Sequence, residues 1–242
     1  MNIIKVGGSI INPDGKYDSN VIEELILLVQ KSKDTSIFVV GGGKLCRRVQ
    51  DAATPFLKDA LGAEVSLASD LIGIAVTKIN AQHVMEEFQK KLGKAVYPEI
   101  LQDPTTKIGS SCNVFFMGGW KPGYSTDKDL MLLAETFGAK NVFKMTNFRM
   151  VKHIHPQELQ GLSHDEKEKK LMRAKDLPTL TWRELKTLAG TQWTPGLNTP
   201  FDPRAVEVGY TLRRKVVLYL GQKEELLKKL QGLPFIGTTV KG

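Results

Sequence analysis

Three short apolar runs in this chain each end directly in a cluster of glycines. Ile3 to Val6 leads into Gly7-Gly8, Ser36 to Val40 into Gly41-Gly42-Gly43, and Val114 to Met117 into Gly118-Gly119. Continuous apolar runs of this length suit strands buried on both faces, as in a parallel sheet. In such a sheet ligands bind beyond the carboxyl ends of the strands. Glycine there lets backbone N–H groups approach an anion with no Cβ in the way. A helix starting just after it adds partial positive charge. One such turn need only reverse the chain; three together point to phosphate.

The rest of the chain fits that frame. Val142 to Met145, Val216 to Leu220 and Phe235 to Ile236 read as further strands. Helices are expected over Asn20 to Lys31 with Ser19 as N-cap, Asp70 to Lys91, Thr126 to Phe137 and Glu224 to Leu230. Thr181 to Glu184 reads as a capping box, and Asp202-Pro203 as a cap followed by a first-turn proline. Strands alternating with helices imply βαβ units with right-handed crossovers. The expected fold is α/β, a three-layer α/β/α sandwich with a mainly parallel central sheet. The 242 residues are expected to form one domain, 1–242. The least patterned stretch, Lys152 to Pro178, carries a charge-dense run at 164–170 that reads as a solvated helix face or loop.

Composition narrows the function classes. Hydrophobic residues are 41% and charged residues 25%, ordinary for a globular chain and unlike disorder or collagen. Cys46 and Cys112 cannot form a disulfide framework, so a reducing, cytoplasmic setting is expected. There is no apolar run long enough for a membrane span, and the opening MNIIKV reads as a strand rather than a signal peptide. The net charge of +8 fits an anionic ligand. Nucleic acid is not expected, because the basic clusters Arg213-Arg214-Lys215 and Lys228-Lys229 lack interleaved aromatics beyond Tyr210. His153 and His155 would share one face of a strand, but zinc wants three or four ligands and no further cluster accompanies them. No protein metal site is expected.

Lys5 is the sharpest single residue. It interrupts an apolar strand immediately before a glycine turn, and burying an unpaired ammonium is costly. An anion at the strand end resolves that cost. The glycine turns match neither the dinucleotide-binding G-x-G-x-x-G spacing nor the G-x-x-x-x-G-K-[ST] loop.

Taken in order, the motifs resemble those of the amino acid kinase superfamily, and within it the UMP kinases of archaeal type. The resemblance covers almost the whole chain. It rests on Lys5-Val6-Gly7-Gly8-Ser9, Gly41-Gly42-Gly43-Lys44 with Arg47, and Ser69 to Ile74 with Asn80-Ala81. It continues through Gly118 to Asp127, Thr146-Asn147, Phe201-Asp202-Pro203 and Gly237-Thr238-Thr239. The resemblance implies transfer of the γ-phosphoryl of ATP, carried with Mg²⁺, to UMP. It also implies a place in pyrimidine biosynthesis and a hexameric assembly.

The roles it implies are these. Lys5, with the N–H groups of Gly7, Gly8 and Ser9, meets the transferring phosphoryl group. Gly43 lies near the ATP phosphates and Gly42 near the acceptor phosphate, and Arg47 clamps phosphate with its planar fork. Asp70 accepts hydrogen bonds from the UMP ribose. Trp120, Lys121, Pro122, Gly123, Tyr124, Ser125 and Thr126 wrap the acceptor. Asp127 orients the catalytic lysine, and Asp202 stands at a helix start beside the donor. Lys144, Thr146, Asn147 and Lys152 complete the ATP side.

The donor side departs from the family pattern T-N-x-D-G-V-Y: Arg149, Met150 and Lys152 replace its aspartate, glycine and tyrosine. That leaves open a kinase of another small phosphorylated substrate such as isopentenyl phosphate, or a non-catalytic nucleotide-binding protein.

Overall fold

The computed structural model describes residues 1–61, 64–190 and 200–242. Strand β1 (Asn2–Val6) lies at the centre of an eight-stranded sheet. On one side stand β2 (Ser36–Val40), β4 (Val114–Met117) and the edge strand β3 (Val96–Leu101). On the other stand β5 (Asn141–Met145), β9 (Val217–Gly221), β10 (Thr238–Val240) and β8 (Thr179–Leu180). All pairings are parallel except β9 with β10. A pair of two-residue antiparallel strands, β6 (Val151–Lys152) and β7 (Asp176–Leu177), stands apart from this sheet.

Alternation along each strand feeds two cores. Ile3, Ile37, Val39 and Val142 face one side, under helices α5 (Thr126–Phe137), α7 (Trp182–Ala189) and α8 (Pro203–Thr211). Ile4, Val6, Phe38 and Phe143 face the other, under α2 (Ser19–Lys31), α4 (Val65–Leu92) and α9 (Lys223–Leu230). The short α1 (Gly8–Ile11) and the longer α3 (Gly43–Leu61) start at the first two glycine turns, and α6 (His164–Arg173) lies between β6 and β7. The layered α/β/α architecture is therefore the expected one.

Several local expectations are corrected. Asp18, not Ser19, caps α2, accepting from the N–H groups of Asn20 and Val21 at 3.0 and 3.3 Å. Helix α4 starts at Val65, five residues before Asp70. The last strand is Thr238–Val240 rather than Phe235–Ile236, because its ladder is set by Leu218 to Leu220 of β9. His153 and His155 lie beyond the end of β6 and do not share a strand face. The charged run at 164–170 forms most of α6, capped by Ser163. The capping box at Thr181 and the cap at Asp202 form as expected, and Ser125 caps α5. Among the described residues no helix is long and apolar enough to cross a membrane, and both cysteines are free.

Candidate active site

Period-two alternation puts Lys5 on the same face of β1 as Ile3, beneath α5. The parallel register sets Lys144 of β5 directly beside it. Two ammonium groups on adjacent strands need a shared counter-charge, and α5 supplies it from its first turn. Asp127 Oδ1 accepts from Lys5 Nζ at 2.5 Å, and Oδ2 from Lys144 Nζ at 2.8 Å. Lys144 also donates to the Pro200 carbonyl at 2.9 Å, and the Asp202 N–H donates to Asp127 Oδ2 at 3.2 Å. Burial would raise the Asp127 pKa, but the charges of Lys144 and Lys5 outweigh it and hold the carboxyl well below the usual carboxylate range. Burial lowers the Lys144 pKa, and Asp127 opposes that shift.

The first two glycine turns meet back to back at the end of this cluster. A Cβ on Gly8 would lie 2.3 Å from the Gly43 nitrogen, and one on Gly43 would lie 2.4 Å from the Gly8 carbonyl carbon. Gly43 also has φ of 62°, where a side chain is strained. Only glycine at both positions lets the backbones touch. Asn80, fully buried on α4, donates to the Gly41 carbonyl at 2.9 Å and accepts from the Tyr17 hydroxyl at 2.9 Å. Gly7 N-caps α1, and the side chain of Ser9 accepts from Asn147 Nδ2 at 3.3 Å. Arg47 is exposed on α3, close after the Gly41–Gly43 turn.

The third turn builds a loop beside them. The Gly119 N–H donates to Thr77 Oγ1 at 2.7 Å, anchoring the loop on α4. The Trp120 N–H donates to Asp129 Oδ2 at 3.2 Å, and the Gly123 N–H donates to Asp70 Oδ2 at 2.8 Å. Arg204 Nη1 donates to the Gly123 carbonyl. Lys121 Nζ sits 3.7 Å from the Trp120 ring centroid, while Trp120 and Tyr124 meet edge to face at 4.9 Å. Pro122 is half-buried, Ser125 caps α5 through the Lys128 N–H, and Thr126 is its first helical residue.

The turn after β5 closes through Thr146 Oγ1, which donates to the Phe148 carbonyl at 2.8 Å. Beyond it lies a mostly apolar cleft lined by Phe148, Met150, Lys152, Ile154, Leu159 and Pro200. Lys144 reaches the rim of that cleft through the Pro200 carbonyl. Lys152 pairs with Asp176 at 2.7 Å, so it belongs to the cleft wall and not to the Asp127 cluster. Asp202 caps α8 with Oδ1, accepting from the Arg204 and Ala205 N–H groups at 2.7 and 3.3 Å; Oδ2 is buried without a hydrogen-bond partner among the described residues. The same residues thus cap a helix and touch the lysine cluster. Among the described residues there is no group of three or more His, Cys, Asp or Glu arranged to hold a metal ion.

Paired lysines on one carboxylate, beside two touching glycine turns, form an arrangement chemically suited to anions such as phosphate. Similar chains are known. A uridylate kinase of Methanoculleus marisnigri is 30% identical over 205 residues, covering 83% of this chain and 77% of that relative. The chain belongs to the uridylate kinase family. A second uridylate kinase, from Pyrococcus abyssi, is 29% identical over 231 residues, covering 93% of this chain and 92% of that one. No family model matches the chain. The uridylate kinase of Archaeoglobus fulgidus has a crystal structure with the same fold, with a TM-score of 0.74 at 24% identity and 99% coverage of both chains. The UMP kinase of Bacillus anthracis aligns with a TM-score of 0.70 at 15% identity, covering 99% of this chain and 95% of that one.

Three residues of the candidate site escaped the sequence reading, Thr77, Asp129 and Arg204, as did the anchoring role of Asn80. Asp129 is fully buried, and its Oδ1 has no hydrogen-bond partner among the described residues. Burial raises its pKa to about 7, against the Trp120 N–H and the charges of Lys5 and Lys128, with Asp127 adding to the rise.

Proposed function

We propose that the chain transfers the γ-phosphoryl group of Mg-ATP to UMP, giving UDP and ADP. The observation that carries this reading is the Lys5–Asp127–Lys144 cluster at the junction of two touching glycine turns. A phosphate oxygen of UMP forms the new bond to the γ-phosphorus as the bond to the β-bridging oxygen breaks, and that oxygen leaves on ADP. The acceptor phosphate is largely ionised at neutral pH, its second pKa being about 6, so no general base is required. Asp127 accordingly positions Lys5 and Lys144 and takes no proton.

Both reactants are anions, and catalysis of this kind is positioning plus charge stabilisation. Lys5 takes the transferring group, with Lys144 beside it on the donor side. The backbone N–H groups of Gly7, Gly8 and Ser9 support that group, those of Gly42 and Gly43 receive the flanking phosphates, and Arg47 closes over them. Asp70 and the Trp120–Thr126 loop hold the acceptor nucleoside. The Phe148–Pro200 cleft takes the donor base, with Thr146, Asn147 and Lys152 at its edges, and its apolar wall substitutes for the tyrosine that the family pattern has in place of Lys152. Mg²⁺ would come with ATP and would neutralise part of the phosphate charge, leaving the rest to Lys5, Lys144 and the N–H groups of the glycine turns. Cytoplasmic location, a single domain over 1–242, homo-oligomeric assembly and a place in pyrimidine nucleotide synthesis complete the reading.

The test is ADP release from Mg-ATP with UMP, CMP, dUMP and isopentenyl phosphate as acceptors. Turnover with UMP supports the assignment. Turnover with isopentenyl phosphate alone, or UMP binding without turnover, overturns it.

A further inference from the structure

Arg204 occupies an unusual place. It is the second residue of α8, after the Asp202 cap and Pro203. A cation in the first turn of a helix faces the positive end of the macrodipole, so helix stability does not account for it there. Its side chain leaves α8 and reaches the third glycine loop, 81 residues away in sequence, where Nη1 donates to the Gly123 carbonyl. Its Nε lies 3.9 Å from Asp202 Oδ1. The same Gly123 gives its N–H to Asp70 at 2.8 Å. The N–H of Asp202 in turn contacts Asp127 at 3.2 Å.

These contacts form a continuous path. It runs from Asp70, through the Gly123 backbone and Arg204, to Asp202 and the carboxylate shared by Lys5 and Lys144. We propose that Arg204 is a positioning residue that couples occupation of the acceptor subsite to alignment of the donor side. The inference rests on the reading of Asp70 as the acceptor ribose ligand. Ribose hydroxyls donating to Asp70 compete with, or tighten, its bond to Gly123. Either change is passed by the rigid guanidinium fork to the start of α8. The planar fork fixes the angle between its two contacts, whereas an ammonium on a flexible stem can keep one contact while losing the other.

Contiguity alone does not establish coupling, so the test measures it. Affinity for UMP is titrated calorimetrically with and without a non-hydrolysable ATP analogue, in the wild-type chain and in Arg204→Leu, Arg204→Gln and Arg204→Lys. Thermal melts identify the variants that fold, and the glutamine variant serves where leucine does not. The expected wild-type coupling lies in the range of about 5–150-fold. It should fall to within about twofold of unity in Arg204→Leu or Arg204→Gln. Arg204→Lys should retain UMP affinity through the Gly123 carbonyl and still lose the coupling. Absence of coupling in the wild type, or full coupling in any of the three variants, overturns the proposal. Failure of the wild type to bind UMP at all overturns the functional reading itself, and is recognised in the same titration.

Discussion

Lys5 and Lys144 stand side by side on neighbouring parallel strands and share the carboxylate of Asp127, one on each oxygen. The pair would repel if the carboxylate were neutral. On the proposed function, a phosphoryl group arriving there would take over part of that charge, and stability and catalysis would both depend on Asp127.

Asp127→Asn should damage both. The variant leaves two largely buried ammonium groups without their shared counter-charge, which costs about 3–5 kcal/mol by analogy with other broken buried pairs. Urea unfolding should show the loss at neutral pH. Because the Asp127 pKa is depressed in the folded state, its contribution is present above the normal carboxylate range and is lost as pH falls through and below it. The wild type and the variant should therefore converge in acid. Removing Lys144 as well, in Asp127→Asn/Lys144→Met, should recover part of the stability but none of the turnover. Equal stability of Asp127→Asn and wild type at pH 7 would refute the shared-charge account.

Gly8→Ala should act through the second glycine turn. The added Cβ would lie within 2.6 Å of backbone atoms of Gly41, Gly42 and Gly43, so one turn must move away from the other. Loss of kcat by a factor of about 100 is expected, the order seen when a 1 Å misplacement disturbs a reacting geometry. Unchanged kcat with a fully folded variant would show that the two turns do not need to touch.

Asp129 carries the opposite pH signature to Asp127. Its folded pKa is raised to about 7, so the folded state binds an extra proton between the unfolded carboxylate value and that point. Its contribution to stability therefore declines as pH rises from about 4 to about 7. Asp129→Asn keeps an acceptor for the Trp120 N–H and removes the titration. Melting curves should show the variant gaining on the wild type from pH 5 to pH 8, by on the order of 2–4 kcal/mol. A difference that stays flat with pH would sink the assignment.

Lys121 covers the Trp120 ring at 3.7 Å to its centroid, and the ring packs against the core under α5. The indole accordingly forms a floor for the loop at 118–125, which the proposed function assigns to the acceptor. Trp120→Phe should be mild in both KM for UMP and stability, while Trp120→Ala should raise that KM and lower the melting temperature together. A rise in KM of the same size in both variants, with no change in melting, would instead indicate stacking of the indole on the base.

Much of this was legible in the sequence, and the misses have physical causes. The apolar runs at β1, β2, β4, β5 and β9 could be read because strands covered on both faces leave no room for polar alternation. Edge strand β3 escaped notice because Pro98 and Glu99 break its pattern where only one neighbour pairs with it. Lys5 announced itself by sitting in an apolar strand. Asp129 did not, because an acidic residue in a first helical turn is ordinary, and only tertiary packing buries it. Arg204 gave no local signal either: its significance lies in a contact with Gly123 that no spacing encodes. Asn80 entered only through its place in the resemblance, because the hydrogen bond by which its amide holds the Gly41 turn from behind spans 39 residues of sequence.

The most direct measurement follows product formation by phosphorus NMR in a mixture of Mg-ATP and UMP, with the wild-type chain and Lys5→Ala side by side. The account predicts UDP and ADP appearing in equal amounts with the wild type. With Lys5→Ala it predicts a rate lower by about 10²–10³-fold or more, the order lost when one donor to a developing charge is removed. No UDP from the wild type, or UDP at an unchanged rate from the variant, would contradict it.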